Sequence, residues 1–335
     1  MLFQPAIIAL LMAAGLAVLM LGLATPFALQ VIRRWDMASG SEIQLALERR
    51  TYLFSTLVSF VLVAQLGALL LFVFNADRLA VMFVGAMCAV GTLNVNEWGF
   101  PSLVAQMTVF FLAAMWLAIN HVDTLARDYP LVRIKYALLI FLLPVLVVSF
   151  WLQFQYFSSL KANVITSCCG SMFSSEAKSL TADLSGMEAK PALWLFYVGM
   201  LLAVVVALWH WRRGSQCSGG LLAVASGAAF VIALTGVLSF ISLYIYEHPH
   251  HHCPFCILKP EYDYQGYGLY LPLFAATAAG FGAGAIQPFA RVPSLARVIP
   301  FVSRRLAALT AGGFIVFTMV ATGFVVNSKL ILIEH

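Results

Sequence analysis

The stretch Tyr136-Ala-Leu-Leu-Ile-Phe-Leu-Leu-Pro-Val-Leu-Val-Val-Ser-Phe-Trp-Leu-Gln-Phe-Gln-Tyr-Phe157 decides the fold class of this chain. It contains no charged side chain, and it is about as long as the roughly 20 apolar residues that a helix needs to cross a bilayer. Similar runs recur along the 335 residues, which are 62% hydrophobic and only 10% charged. Soluble domains carry about a quarter charged residues. The sequence therefore predicts an all-α, polytopic transmembrane helix bundle.

Nine apolar segments are candidates for crossing the membrane. The third is too short to be a secure span, and the distribution of basic residues favours eight spans plus one short or re-entrant segment, with nine spans as the alternative. Residues 1–335 are predicted to form a single integral membrane domain. The segments are Ala6 to Ile32, Tyr52 to Phe74, Leu79 to Leu93, Ser102 to Val122, Tyr136 to Phe157, Ala192 to Trp211, Leu221 to Tyr246, Leu269 to Phe289 and Leu306 to Val326.

The basic residues also predict the orientation of two polar loops. Most Lys and Arg residues after Asp123 lie on the side opposite the loops 158–190 and 247–268, so both loops are expected to face outside. In a bacterium this means the inner membrane, with the loops in the periplasm. The net charge of +5 is spread over many short loops, so the chain has no basic domain of the kind that binds nucleic acid.

The loop 247–268 gathers most of the reactive side chains, in a C-x-x-C pair preceded by histidines. When such a pair opens a helix, the amide dipoles lower the pKa of the first thiol. Cys253 is then expected to be the attacking thiolate and Cys256 the thiol that resolves the mixed disulfide. The neighbouring imidazoles belong to His248, His250, His251 and His252.

The loop 158–190 carries the adjacent thiols Cys168 and Cys169. Neighbouring cysteines rarely bond to each other, because the small ring strains the peptide between them, so these two are expected to pair with Cys253 and Cys256. Cys88 lies within an apolar segment and Cys217 lies on the opposite side of the membrane. Neither is expected to join the four outer thiols, which lie in a compartment that permits disulfides.

Metal binding is an alternative for the same side chains, because thiolates with imidazoles favour Cu(I) or Zn(II). The ligands would come from Cys168, Cys169, Cys253 and Cys256 with one or two of the four histidines, and the partner would be a metallochaperone. A third alternative is a membrane subunit of a larger respiratory or transport complex, in which the cysteines form structural disulfides. Haem b between His121 and His210 is the less favoured cofactor.

The order Cys253-Pro-Phe-Cys256-Ile-Leu-Lys259 before an apolar helix resembles the active stretch of the DsbB-type disulfide oxidases and, more distantly, of the vitamin K epoxide reductase type. In those families a helix-capping C-x-x-C passes electrons to a quinone, and a second pair contacts a thioredoxin-fold partner. The resemblance implies that Cys253 and Cys256 are the quinone-side pair and that Cys168 and Cys169 are the loop pair. Lys259 stands near the position of an arginine in the DsbB pattern.

Tyr262, Tyr264 and Tyr267 follow Lys259 and form an aromatic approach to the next span. These rings are candidates for contacting a quinone head group, although an interfacial aromatic belt explains the same residues. The leading prediction is a membrane thiol-disulfide oxidoreductase that exchanges electrons between a periplasmic thiol partner and a membrane carrier such as quinone.

Overall fold

A computed structural model describes residues 2–36, 41–126, 128–161, 164–166, 189–249 and 251–330. Helices make up most of this part of the chain, and it contains no strand. The long helices are α1 (Pro5–Arg34), α2 (Glu42–Leu79), α4 (Gly99–Leu125), α5 (Val132–Ser158), α6 (Ala189–Arg213), α7 (Gln216–Gly236), α9 (Gln265–Ile286) and α10 (Val298–Asn327), and the short ones are α3 (Ala89–Leu93) and α8 (Ser242–Tyr246).

Eight helices in the described ranges are long and apolar enough to cross a membrane. They coincide with the predicted segments, apart from the third, so the all-α transmembrane bundle is confirmed. The third segment is not a continuous helix. A 3-10 turn at Ala80–Met82 follows α2, the chain then turns at Gly85, and only the short α3 completes the segment. The segment is therefore the short piece of the predicted arrangement of eight spans plus one.

Contacts between residues divide the chain into two compact units. The first unit comprises Met1–Asn75, Asn96–Lys161 and Ala285–Val302, and the second comprises Ala76–Val95, Ala162–Gly284 and Ser303–His335. In the first unit, α1 and α4 pack against α5. Phe27 joins α1 to α2 and α5, since its ring stacks on Phe54 at 4.7 Å and meets Tyr136 edge-on at 5.6 Å.

In the second unit, an aromatic cluster forms the core between α6, α10 and the π-helical turn Val237–Ile241 that joins α7 to α8. Phe196 lies 5.4 Å from Phe240 and 5.8 Å from Phe317, measured between ring centroids. Glycines bring α9 close to its neighbours. A Cβ on Gly284 would lie 2.5 Å from the Cβ of Ala223, and one on Gly313 would lie 2.8 Å from the Cβ of Ala276. Small residues thus allow close helix packing, as expected in a membrane bundle.

Candidate functional site at three buried cysteines

Three thiols that are distant in sequence meet in the second unit. The Sγ atom of Cys88 lies 3.4 Å from the Sγ atom of Cys253, and the sulfurs of Cys88, Cys253 and Cys256 all lie within 4.8 Å of one another. Cys88 and Cys253 are fully buried, and Cys256 is 5% exposed. None of the three forms a disulfide in the structure. We call this group the cysteine trio.

The expectation that Cys88 stays apart from the C-x-x-C pair is wrong. It rested on the position of Cys88 within the apolar segment from Leu79 to Leu93. The chain instead leaves the helix at Phe83, and Cys88 adopts an extended conformation with φ −157° and ψ −176° just before α3. The break in the helix allows the Cys88 side chain to contact Cys253.

Thr166 fixes the segment around Cys88 from one side. Its N–H donates to the carbonyl of Val84 at 3.0 Å, and its hydroxyl donates to the carbonyl of Gly91 at 2.8 Å. The turn between these contacts requires glycine at position 85, where φ is +87° and a Cβ would lie 2.1 Å from the Thr166 carbonyl oxygen. The two hydrogen bonds and the close approach hold the Cys88 segment against Thr166.

Lys259 and Asp77 hold the residues on either side of Cys88. The Lys259 ammonium donates to the carbonyl of Met87 at 2.6 Å, and the N–H of Ala89 donates to the Asp77 carboxylate. Lys259 stands three residues after Cys256. The lysine therefore ties the C-x-x-C loop directly to the Cys88 segment. Its ion pair with Glu261, at 4.0 Å and largely exposed, adds little stability.

Two tyrosine hydroxyls hold the backbone of the C-x-x-C loop. Tyr246 donates to the carbonyl of Cys253 at 2.5 Å, and Tyr270 donates to the carbonyl of Pro254 at 2.7 Å. The loop is packed closely against the start of α9, because a Cβ on Gly266 would lie 2.8 Å from the Cγ1 of Ile257. The backbone around Cys253 is thus anchored by side chains of α8 and α9.

The C-x-x-C pair does not open a long helix, so the condition for a helix dipole to lower the pKa of the first thiol is not met. Cys256 begins a 3-10 turn of three residues, Cys256–Leu258, and α9 starts only at Gln265. A second short turn at Pro260–Tyr262 and the left-handed residues Asp263 and Tyr264 intervene. So short a turn has few aligned peptide dipoles, and the helix dipole therefore gives Cys253 little electrostatic help.

The described histidines of the loop lie outside the cysteine trio. The Nδ1 atom of His252 is 2.8 Å from the carbonyl oxygen of Leu238, so Nδ1 carries a proton and donates it to that carbonyl. Leu238 belongs to the π-helical turn, which changes the helical hydrogen-bond pattern there. The His251 ring stacks on Tyr246 at 4.1 Å. His248 is exposed just after α8.

The remaining predicted ligands and cysteines divide into two groups. Cys168, Cys169 and His250 lie outside the described residues. Cys217 is exposed in the first turn of α7 and is not a member of the cysteine trio. Of the side chains predicted to form the site, the structure brings together Cys253 and Cys256, and it adds Cys88.

The tyrosines after the C-x-x-C pair surround part of the same loop. Tyr262 meets Tyr246 edge-on at 4.8 Å, and Tyr264 lies 6.2 Å from Tyr267. Partial burial raises the pKa of the Tyr262 hydroxyl, and the nearby Cys256 adds to the shift. The Tyr262 hydroxyl is therefore neutral at physiological pH and can donate a hydrogen bond.

The two histidines considered as haem ligands have different surroundings. His210 is fully buried, and its Nδ1 and Nε2 atoms each lie 2.7 Å from a serine hydroxyl, of Ser218 and Ser303. Both ring nitrogens are therefore engaged in linking α6 to α7 and α10. His121 is exposed on α4 in the first unit.

Comparison with protein-family models, with curated proteins and with solved structures finds no match for this chain. The chemistry of the site therefore has to be inferred from the cysteine trio and the residues that hold it.

Proposed function

We propose that this protein is a membrane thiol-disulfide redox protein in which Cys88, Cys253 and Cys256 exchange disulfide bonds. The observation that carries the proposal is the 3.4 Å contact between the sulfurs of Cys88 and Cys253, with the Cys256 sulfur in the same group. A disulfide needs sulfurs about 2.05 Å apart, so the sulfurs of Cys88 and Cys253 must approach each other further to form one. All three sulfurs lie within 4.8 Å of one another, so Cys253 is close to both of the other two.

The central step is a thiol-disulfide exchange within the trio. In the oxidised state, Cys253 and Cys256 form the disulfide that their C-x-x-C spacing favours. The Cys88 thiolate attacks the Cys253 sulfur, the Cys88–Cys253 bond forms, and Cys256 leaves as a thiolate that takes up a proton. This step moves the disulfide without net oxidation or reduction.

The net reaction transfers two electrons and two protons from a soluble dithiol to a membrane quinone. The dithiol becomes a disulfide as the trio is reduced to three thiols, and the quinone becomes a quinol as the trio is reoxidised. Lys259, Tyr262, Tyr264 and Tyr267 are the proposed contacts of the quinone head group. The neutral Tyr262 hydroxyl is a suitable donor to a quinone carbonyl.

The burial of the trio supports a relay between it and a soluble partner. A large protein cannot reach sulfurs that are at most 5% exposed, so an outer thiol has to carry the disulfide inward. Cys168 and Cys169 are proposed for this role, with a thioredoxin-fold protein as the partner. Thr166, two residues before Cys168, is hydrogen-bonded to both ends of the Cys88 segment, which supports the assignment. The proposed location is the bacterial inner membrane, with both loops in the periplasm.

The test is the oxidation state of each cysteine in purified protein equilibrated with dithiol and disulfide buffers. Mass spectrometry of alkylated peptides is expected to find a Cys253–Cys256 disulfide in the oxidised protein and a Cys88–Cys253 disulfide in the Cys256→Ser variant. Cys217→Ser is the matched control and should leave both disulfides unchanged. Finding Cys253 as a thiol under all conditions contradicts the proposal.

A second candidate is the binding of a soft metal ion, and the convergence of three sulfurs favours it specifically. Three thiolates that each lie about 2.3 Å from one ion would be about 4 Å from one another. The sulfurs of the trio all lie within 4.8 Å of one another, which is compatible with such a site. A three-sulfur site suits Cu(I), whereas Zn(II) needs a fourth ligand. Metal analysis of protein purified under reduction separates the two candidates, because only a metal site gives one ion per chain that Cys88→Ser removes and Cys217→Ser retains.

A further inference from the structure

A cavity of about 350 Å³ lies in the first unit, between α2, α4 and α5. Its surface is mostly apolar, and the residues that line it include the polar Thr51, Ser55, Thr56, Ser59 and Asn120. All these residues lie on helices that are long and apolar enough to cross the membrane. Ligand sites are commonly cavities of this size, mostly apolar with a few polar groups that orient the ligand.

A buried ion pair lies beside the cavity. The Lys135 ammonium is 2.7 Å from the Asp123 carboxylate, and the two side chains are 1% and 0% exposed. The Lys135 ammonium also donates to the side-chain oxygen of Asn120 at 3.1 Å, and the side-chain nitrogen of Asn120 donates to the Ser59 hydroxyl at 3.0 Å. Ionisable side chains within membrane helices are costly and commonly mark a functional site.

Two hydroxyls in the cavity differ from the others on the same helix. Thr56 and Ser59 donate to carbonyls four residues earlier, at 2.9 Å and 2.7 Å. The hydroxyls of Thr51 and Ser55 are buried, at 4% and 5% exposure of the residue, and neither donates to a backbone carbonyl. Both lie beside the Tyr136 hydroxyl, which gives its proton to the carbonyl of Thr51 at 3.4 Å and leaves its oxygen as the acceptor that the two hydroxyls share. A ligand oxygen in the cavity would give these two donors an acceptor of their own.

The charges around the cavity disfavour an anionic acceptor. The positive charge of Lys135 is balanced by Asp123, and Glu48 adds a carboxylate to the lining. An anionic ligand would gain no net attraction from this set. A carbonyl oxygen accepts hydrogen bonds without bringing a charge, so it fits the two hydroxyl donors.

The mouth of the cavity is apolar and open to the bundle surface. Tyr52, Phe60 and Val63 line it and are 72%, 71% and 54% exposed. On a membrane-spanning helix such exposed apolar side chains face lipid. A ligand that enters here comes from the bilayer and has an apolar chain.

We infer that this cavity binds a neutral membrane amphiphile through a carbonyl-bearing head group that accepts hydrogen bonds from Thr51 and Ser55. A membrane quinone and a neutral acyl glyceride both have this chemistry. The inference rests on residues of the first unit alone, so it stands independently of the cysteine chemistry.

The test is calorimetric titration of the purified full-length protein with decylubiquinone and, separately, with dioctanoylglycerol. One of the two is expected to bind saturably with one molecule per chain. The variant Thr51→Val/Ser55→Ala removes both donors and should weaken that binding about tenfold or more. Thr56→Val is the matched control, since its hydroxyl lines the same cavity but donates to the helix, and it should change the affinity less than twofold.

Three results would overturn the inference: neither probe binds saturably, the double variant binds as the wild type does, or Thr56→Val weakens binding equally. Melting temperatures of the variants show whether each one is folded. Binding measured on a Cys88→Ser/Cys253→Ser background should be unchanged. The binding measurement on this Cys88→Ser/Cys253→Ser background separates a failure of this inference from a failure of the proposed redox function, because the variant cannot form the Cys88–Cys253 disulfide.

Discussion

The ion pair of the first unit lies on regular helices, whereas the cysteine trio of the second unit lies where helices break. Asp123 and Lys135 occupy α4 and α5, and each supplies the counter-charge of the other. Cys88 is extended and Cys256 begins a 3-10 turn.

Irregular backbone inside a membrane protein is tolerated only where protein or water satisfies its polar groups. Thr166, Lys259, Tyr246 and Tyr270 do this for the trio.

The two regions are therefore stabilised differently. The ion pair is a mutual charge balance, so it should be sensitive to the loss of one charge and tolerant of the loss of both. The trio is held differently, because its geometry depends on backbone contacts from several segments. Changes at those contacts should alter the position of Cys88 more than the stability of the bundle.

The largest effect is expected from Lys135→Met, which leaves the Asp123 carboxylate buried without its counter-charge. Removing one partner of a buried ion pair typically costs about 3 kcal/mol or more in the free energy of unfolding. The double variant Lys135→Met/Asp123→Asn should recover most of this loss, because no charge is left and the amide oxygen still accepts from the N–H of Leu131. Unfolding in mixed micelles measures both. Equal destabilisation of the single and double variants would contradict the charge-balance account.

The next largest effect is expected from Gly85→Ala. The added Cβ meets the Thr166 carbonyl oxygen at 2.1 Å and the residue keeps a positive φ, so the Cys88 segment must move. A cost of about 2 kcal/mol is typical of such strain. Alkylation of Cys88 by a maleimide, which burial keeps slow in the wild type, should become fast. Gly67→Ala is the control, because a Cβ there has open space. Slow alkylation in both variants would show that Gly85 does not position Cys88.

The spans could be predicted from sequence because a membrane helix satisfies its own backbone and needs only a long apolar run. The C-x-x-C pair could be predicted because Cys253 and Cys256 are close along the chain. Cys88 could not, because its contact joins residues 165 positions apart and requires a broken helix. Gly85 was the available signal of the break, since the apolar segment around it is too short for a regular span. Asp123 and Lys135 were visible as charges beside apolar runs, but their pairing depends on how α4 and α5 pack.

The smallest effect is expected from Lys259→Met, which removes the hydrogen bond to the Met87 carbonyl. Lys259 is partly exposed, so water replaces some of the contact and the expected loss of stability is about 1 kcal/mol. The loss should be clearer in the yield of the Cys88–Cys253 disulfide in the Cys256→Ser background, because Lys259 ties the two segments together. Glu261→Gln is the control, since it alters only the ion pair at 4.0 Å. If both variants lower the disulfide yield equally, the ion pair between Lys259 and Glu261, and not the bond from Lys259 to Met87, holds Cys88 in place.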